Sequence, residues 1–135
     1  MSGEALAAAA ASLVGTRFRL HGRDPAIGLD CVGLLAAALE HLGRPSALPN
    51  GYRLRNRDIA AWLPDPAACG FAPVSDGLRP GDVVLTRPGP GQVHLAIAAS
   101  AGGWVHAHAG LRRVVHQPGG LPGEALGHWR LLPES

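Results

Sequence analysis

The sequence predicts a single α+β domain over residues 1–135, in which helices come first and a mostly antiparallel sheet follows. Two observations support this fold class. Apolar residues recur at helical spacing in the first third of the chain. After residue 80 the pattern changes to short apolar segments separated by Gly and Pro. A chain of 135 residues fits one domain, and it contains no internal repeat or dividing linker.

Two helices are predicted near the N-terminus, and the second is the stronger. The first runs roughly from Gly3 to Leu13. The second begins at Cys31, directly after Asp30, which suits the N-cap position. Gly43, with a proline two residues later, ends it in the usual order. The segment between the two helices is rich in Gly and Pro and is predicted to be a loop.

The remainder of the chain predicts one short helix and five strands. The short helix covers about 57–63 and precedes a Pro-rich loop. Gly and Pro turns separate the strands, which are predicted at 82–85, 93–98, 104–108, 113–116 and 128–132.

Composition and charge exclude several classes of protein. Hydrophobic residues make up 47% and charged residues 16%, which excludes a disordered tail. A formal charge of +2 gives no reason to expect a nucleic-acid partner. All twelve basic residues are arginines. Among them Arg17, Arg19 and Arg23 form a cluster that could bind a carboxylate or phosphate, or could be a solvated loop.

The N-terminal apolar run indicates a helix of the fold and not a signal peptide. It lacks a basic region, carries Glu4, and at about eleven residues is too short to span a bilayer. We therefore expect synthesis in the cytoplasm without a signal peptide, and no membrane span. The two cysteines, Cys31 and Cys69, show no disulfide spacing, and Cys69 is interpreted as structural.

Cys31 is the first candidate for chemistry, because it occupies the first turn of a helix. The partial positive charge and free N–H groups of a helix N-terminus stabilise a thiolate, which predicts a lowered thiol pKa. The backbone N–H of Cys31 could also bind a developing oxyanion. Position alone leaves a second interpretation open, that of a small buried cysteine packed as a hydrophobe.

His94 and His106 strengthen the catalytic interpretation. His94 lies in the apolar strand QVHLAIA, where it could accept the Cys31 proton. His106 follows in GGWVHAHAG, and a Gly102–Gly103 hairpin would place it beside His94. Either histidine alone could be an ordinary core or edge residue. With His108 and Cys31 they could also supply zinc ligands, although Asp30 is better explained as a helix cap.

Three segments, in order, resemble the NlpC/P60 family of cell-wall peptidases. LVGTRFRLHGRDPAIGLDCVGLL resembles its nucleophile segment, RPGDVVLTRPGPGQVHLAIA its catalytic-histidine segment, and GGWVHA the strand with its third polar residue. The resemblance spans roughly 13–107. It implies a papain-like fold in which the nucleophile helix packs on an antiparallel sheet.

The resemblance also implies roles for the candidate residues. Cys31 becomes the nucleophile, His94 the general base and then acid, and His106 the group that orients His94. The implied substrate is a peptidoglycan stem peptide, and neither a metal nor an organic cofactor is implied. His108 is left as a residue near the site or on the substrate side.

The chain departs from the family pattern at three positions. Val32 replaces the usual Ser after the nucleophile, and Ala96 replaces a Gly after the catalytic histidine. Phe18 replaces a Tyr whose hydroxyl lines the oxyanion site, so one donor is missing or replaced. The segment GLDCVGL resembles the subgroup encoded with phage tails and gene transfer agents. That subgroup implies tail or hub proteins as partners and a place in a phage-like particle, either as an enzyme or as an inactive structural component.

Overall fold

The computed structural model describes residues 2–44, 70–87, 94–121 and 123–133. Within these residues two helices cover one face of a six-stranded sheet. The predicted helix at 57–63 and Cys69 lie outside the described residues. In the described part of the chain, no helix is long and apolar enough to cross a membrane.

Both helices lie close to their predicted positions. Helix α1 spans Ser2–Ser12 and helix α2 spans Cys31–His41. Between them, two-residue strands β1 (Arg23–Asp24) and β2 (Gly28–Leu29) pair antiparallel, so the predicted loop contains a very short hairpin. Nine consecutive residues of α2, from Cys31 to Leu39, are buried because α1 covers one side of the helix and the sheet covers the other.

The large sheet has the order β3-β8-β4-β5-β6-β7, and its neighbouring strands all pair antiparallel. Its strands are β3 (Phe71–Pro73), β4 (Val83–Arg87), β5 (His94–Ala98), β6 (Trp104–His108), β7 (Arg113–Gln117) and β8 (Glu124–Leu131). The predicted α+β class is therefore confirmed.

Two strand predictions need correction. The Pro-rich stretch ending at Pro73 contains strand β3, which the sequence predicts to be loop. A proline is tolerated there because β3 is an edge strand. Strand β8 begins four residues earlier than predicted and pairs with β4 through a register shift at Leu85/Thr86. The glycine at position 127 hides this longer strand from a sequence pattern.

Alternation along the strands gives the sheet two different faces. Leu95, Ile97 and Val105 belong to the main core beneath the helices, together with most of α2. Ala96 and Trp104 belong to a smaller apolar cluster on the opposite face, which we call the outer face. Since successive side chains alternate, residues two positions from these share their faces.

A charged cluster lies where β4 and β8 pair. Asp82 is fully buried and accepts bonds from Arg130 Nε (2.8 Å) and Nη2 (2.9 Å), His128 Nε2 (2.7 Å) and the Arg79 N–H (2.9 Å). Burial alone raises the pKa of Asp82, but these hydrogen bonds outweigh it and hold the pKa below its ordinary value. The sequence indicates no partner for His128, which in the structure completes this cluster.

Candidate active site

Asp30 fixes the entry into α2 and therefore the position of Cys31. Its Oδ1 accepts the Gly33 N–H (2.8 Å) and its Oδ2 accepts the His21 N–H (2.7 Å). One carboxylate thus caps the helix and also holds the preceding loop against it. The N-cap predicted for Asp30 is confirmed.

The first turn of α2 lies so close to the preceding loop that one position requires glycine. A Cβ at Gly33 would lie 1.8 Å from the carbonyl oxygen of Gly22. No side chain fits at that distance, so the glycine two residues after Cys31 permits the loop and helix to meet. Val32 faces the core and is 1% exposed.

The sulfur of Cys31 lies against β5 near the backbone of Leu95, the residue that follows His94. The backbone N–H groups of Leu95, Val32 and Cys31 lower the pKa of its thiol. Among the described residues, β5 and β6 pair only at Ile97–Val105 and Ala98–Trp104. Near Leu95 the two strands are therefore not paired. The N-terminus of α2 meets β5 there, one peptide unit from His94.

The pKa of Cys31 differs from the sequence prediction. Burial, and then the charge of Asp30, raise the pKa of this thiol to about 12, while the three backbone bonds lower it. Only 3% of the residue is exposed, so the loss of hydration outweighs the helix N-terminus. The sequence shows where α2 starts but not how deeply that start is buried, so it could not predict the raised pKa. This raised pKa favours the neutral thiol at neutral pH.

The structure brings His94 and His106 into direct contact. His94 Nε2 lies 2.7 Å from His106 Nδ1, and the rings meet edge to face with centroids 4.9 Å apart. The bond crosses the open part of the β5–β6 pair. No hydrogen bond joins Cys31 to His94, although both lie at the same end of β5. Among the described residues His94 Nδ1 has no partner.

A chain of hydrogen bonds beyond His106 determines which nitrogen of His94 carries the proton. The Gly120 carbonyl can only accept, so Gln117 Nε2 donates to it (3.1 Å), and Gln117 Oε1 accepts from His106 Nε2 (2.9 Å). A neutral His106 then accepts at Nδ1, and His94 Nε2 must donate. His94 Nδ1 is left with a lone pair, as a general base requires.

Both imidazoles are neutral at neutral pH. Burial, followed by the neighbouring His106 and His108, lowers the pKa of His94 to about 4. Burial also lowers the pKa of His106, against the opposing hydrogen bond to Gln117. The site therefore combines a neutral thiol at the start of α2 with a neutral imidazole at the start of β5, whose Nδ1 can accept a proton.

Three other residues bear on the site. The His108 ring lies 5.6 Å from the His106 ring, and its Nδ1 accepts the Leu111 N–H (3.1 Å). Phe18 is half-buried and packs against the main core. Thr86 is the cross-strand partner of His94, and its buried hydroxyl has no hydrogen-bond partner.

The zinc interpretation has no support in the geometry. Both ring nitrogens of His106 are engaged within the hydrogen-bond chain, so a metal would have to displace one of those bonds. No group of three or more His, Cys, Asp or Glu side chains in the described part of the chain is arranged to hold a metal ion.

Gln117 is a candidate site residue that sequence reasoning missed. It ends strand β7 directly opposite Trp104 and therefore shares the outer face with His106. The sequence did contain a signal: Gln117 is polar, and alternation along β7 puts it on the same face of the sheet as His106. Without the register between β6 and β7, this signal does not identify a partner.

No family model and no curated protein matches the sequence. Among solved structures, the chain is similar to NlpC1 from Trichomonas vaginalis, with a TM-score of 0.69 and 20% identity over 96% of this chain. It spans 45% of that protein, less than half its length. It is also similar to the NlpC/p60 domain of the peptidoglycan hydrolase SagA, with a TM-score of 0.58, 28% identity, and 87% of this chain and 90% of that domain covered.

A third similar structure is the peptidoglycan hydrolase RipB from Mycobacterium tuberculosis, with a TM-score of 0.60 and 21% identity. The likeness covers 98% of this chain and 66% of RipB. The resemblance to the NlpC/P60 family is confirmed at the level of the fold, and the papain-like α+β architecture that it implies is confirmed with it.

Proposed function

We propose that this protein is a cysteine peptidase that hydrolyses amide bonds in peptidoglycan stem peptides. Cys31 is the nucleophile, His94 the general base, and His106 the residue that orients His94. The observation that carries the proposal is the 2.7 Å bond from His94 Nε2 to His106 Nδ1, which leaves Nδ1 unprotonated beside the Cys31 helix. The peptidoglycan hydrolases SagA and RipB, similar in fold, support the choice of substrate.

The reaction begins when Cys31 Sγ attacks the amide carbonyl carbon. The thiol proton moves to His94 Nδ1 as the S–C bond forms, and the carbonyl electron pair moves onto oxygen. The Cys31 N–H, at the start of α2, is the donor for this oxyanion. When the C–N bond breaks, His94 Nδ1 returns the proton to the departing amine. Water, deprotonated by His94, then hydrolyses the thioester and restores the thiol.

The neutral resting state shapes this mechanism. A thiol with a pKa of about 12 beside an imidazole with a pKa of about 4 does not form a thiolate–imidazolium pair before substrate binds. We therefore propose that proton transfer and attack occur together, as in serine hydrolases. Phe18 brings no hydroxyl to the oxyanion, so the proposed reaction relies more heavily on backbone donors.

The proposed setting is a phage-like tail that opens the cell wall during delivery. The support is the segment GLDCVGL and its resemblance to the tail-associated subgroup. In that setting tail or hub proteins are the partners, and the protein resides in the particle after synthesis in the cytoplasm. Mass spectrometry of purified particles would test this; absence of the chain from particles produced by its own host would contradict it.

A second candidate function is a structural component of such a tail, with little or no catalysis. The specific observations that favour it are the buried Cys31 thiol with its raised pKa and the phenyl ring at position 18.

Incubation of the purified protein with muropeptides, with products read by mass, separates the two functions. The peptidase predicts cleaved stem peptides, complete loss in Cys31→Ala, and retained activity in the matched control Cys69→Ala. Circular dichroism would verify that both variants fold. Full activity in folded Cys31→Ala would refute the assignment of the nucleophile, and a wild-type protein inert on all muropeptides would favour the structural component.

A further inference from the structure

The outer face of the sheet carries a row of basic side chains that leads away from the imidazoles. His108 is the Cα partner of Arg113 in the β6–β7 ladder, and Arg113 is in turn the Cα partner of Arg17 in an isolated bridge. Cross-strand partners present their side chains on the same face, about 5 Å apart. With the rings of His106 and His108 5.6 Å apart, the row runs without interruption from the site to Arg17.

The outer end of this row is held firmly by backbone bonds. The Gly15 N–H donates to the Val114 carbonyl (2.8 Å), and the Phe18 N–H donates to the Arg112 carbonyl (2.9 Å). These bonds fasten the segment that carries Arg17 alongside β7. The position of Arg17 relative to the imidazoles is therefore set by the sheet and not by a free loop.

The charge of this surface is strongly positive. Arg17, Arg19, Arg112 and Arg113 are all exposed, and none of the four forms an ion pair with a described residue. Like charges directly opposite each other in a sheet are destabilising, and Arg17 faces Arg113 in that way. An anion between the two guanidinium groups would relieve this repulsion.

We propose that Arg17 and Arg113 form a carboxylate-binding subsite for the peptide substrate, with His108 between the subsite and the imidazoles. Arginine forks bind carboxylates in a bidentate manner, which suits two adjacent guanidinium groups. From His108 to Arg17 the row crosses two strand spacings, about 10 Å. An extended peptide advances about 3.3 Å per residue, so the bound carboxylate belongs about three residues beyond the peptide residue that lies over His108.

This inference rests on the proposed function and names the substrate class more narrowly, as an anionic peptide. The test uses two synthetic stem peptides that differ only in one group, a free carboxylate in the first and a carboxamide in the second. Cleavage by the wild-type protein and binding to Cys31→Ala are measured for both. We expect the acid to be favoured about tenfold in KM and in Kd.

Variants test whether Arg17 and Arg113 cause the preference for the acid over the amide. Arg17→Gln and Arg113→Gln together should abolish the discrimination between acid and amide. Arg79→Gln is the matched control, since it removes an exposed arginine that lies elsewhere and pairs with Asp76. That control should keep the full preference. Discrimination that survives in the double variant would overturn the assignment of these two residues.

The outcomes separate this inference from the proposed function. If both peptides are cleaved equally by the wild type, the subsite is refuted and the peptidase stands. If neither is cleaved but Cys31→Ala still binds the acid preferentially, the subsite stands and the peptidase fails. If neither is cleaved and neither is preferred in binding, the subsite is refuted as well.

Discussion

Asp82 and His94 lie at opposite ends of the β4–β5 pair, and each belongs to a polar cluster, but the clusters use their hydrogen-bonding capacity differently. Around Asp82 both carboxylate oxygens are occupied by Arg130, His128 and a backbone N–H. The chain from Gln117 through His106 ends instead at His94 Nδ1, which has no partner in the described structure. The charged and fully paired cluster stabilises the fold, whereas the neutral cluster leaves one imidazole nitrogen with a free lone pair.

The largest effect on catalysis is expected when that lone pair is removed. His94→Gln should lower kcat on muropeptides about 10³-fold, because no group then accepts the Cys31 proton. Unfolding in urea should change by only about 1 kcal/mol. His106→Ala should cost less activity than His94→Ala, since His106 orients the base and does not transfer the proton. Equal losses for the two alanine variants would contradict the separate roles.

The charged cluster should respond in the opposite way. Asp82→Asn leaves the Arg130 guanidinium without its carboxylate and should lower the free energy of unfolding by about 2–3 kcal/mol. At a temperature where the variant is folded, its kcat should stay near the wild-type value. Urea denaturation and muropeptide cleavage on the same preparation check both parts. A large loss of kcat with unchanged stability would show that the Asp82 cluster serves catalysis and does not stabilise the fold.

Acid should lower the free energy of unfolding over two separate pH intervals, one for each cluster. The folded pKa of His94, about 4, lies below its ordinary value of 6.5, so the unfolded chain binds more protons in that interval. Stability therefore falls as the pH decreases from 6.5 to 4, by on the order of 2 kcal/mol. The pKa of Asp82 is lowered from 3.8, so its contribution persists above pH 3.8 and is lost below it.

Denaturation midpoints measured from pH 7 to pH 3 would resolve these steps. His94→Gln should remove the change in stability between pH 6.5 and pH 4 only. Asp82→Asn should remove the change below pH 3.8 only. A His94→Gln profile identical to the wild type would show that burial of this imidazole does not oppose its protonation.

Gln117 should produce the smallest of these effects. Gln117→Leu removes the acceptor that fixes the tautomer of His106, and we expect kcat to fall about tenfold with KM unchanged. Gln117→Glu keeps an acceptor at the same reach and should restore most of the rate. A Glu variant as slow as the Leu variant would indicate a packing role and not a positioning one.

The comparison also separates what the sequence could predict from what it could not. Helical spacing and a cap at Asp30 predicted α2 and placed Cys31 at its start, because these signals are local. Strand alternation and a glycine turn predicted that His94 and His106 could meet. The edge strand β3 was missed because its proline reads as a turn when the sheet order is unknown.

Properties that depend on tertiary packing could not be predicted. The raised pKa of Cys31 follows from the depth at which the start of α2 is buried. The pairing of Asp82 with His128 joins residues 46 positions apart. The link from His106 to Gln117 depends on the β6–β7 register. In each case the residue type was visible in the sequence but its neighbour was not.

The most direct test of the account is the protonation state of His94, measured by nitrogen-15 NMR of the histidine rings during a pH titration. We expect a neutral His94 with its proton on Nε2 and a bare Nδ1, and this state should persist from pH 7 down to about pH 4. A proton on Nδ1 at neutral pH, or an imidazolium that forms near the ordinary value of 6.5, would contradict it.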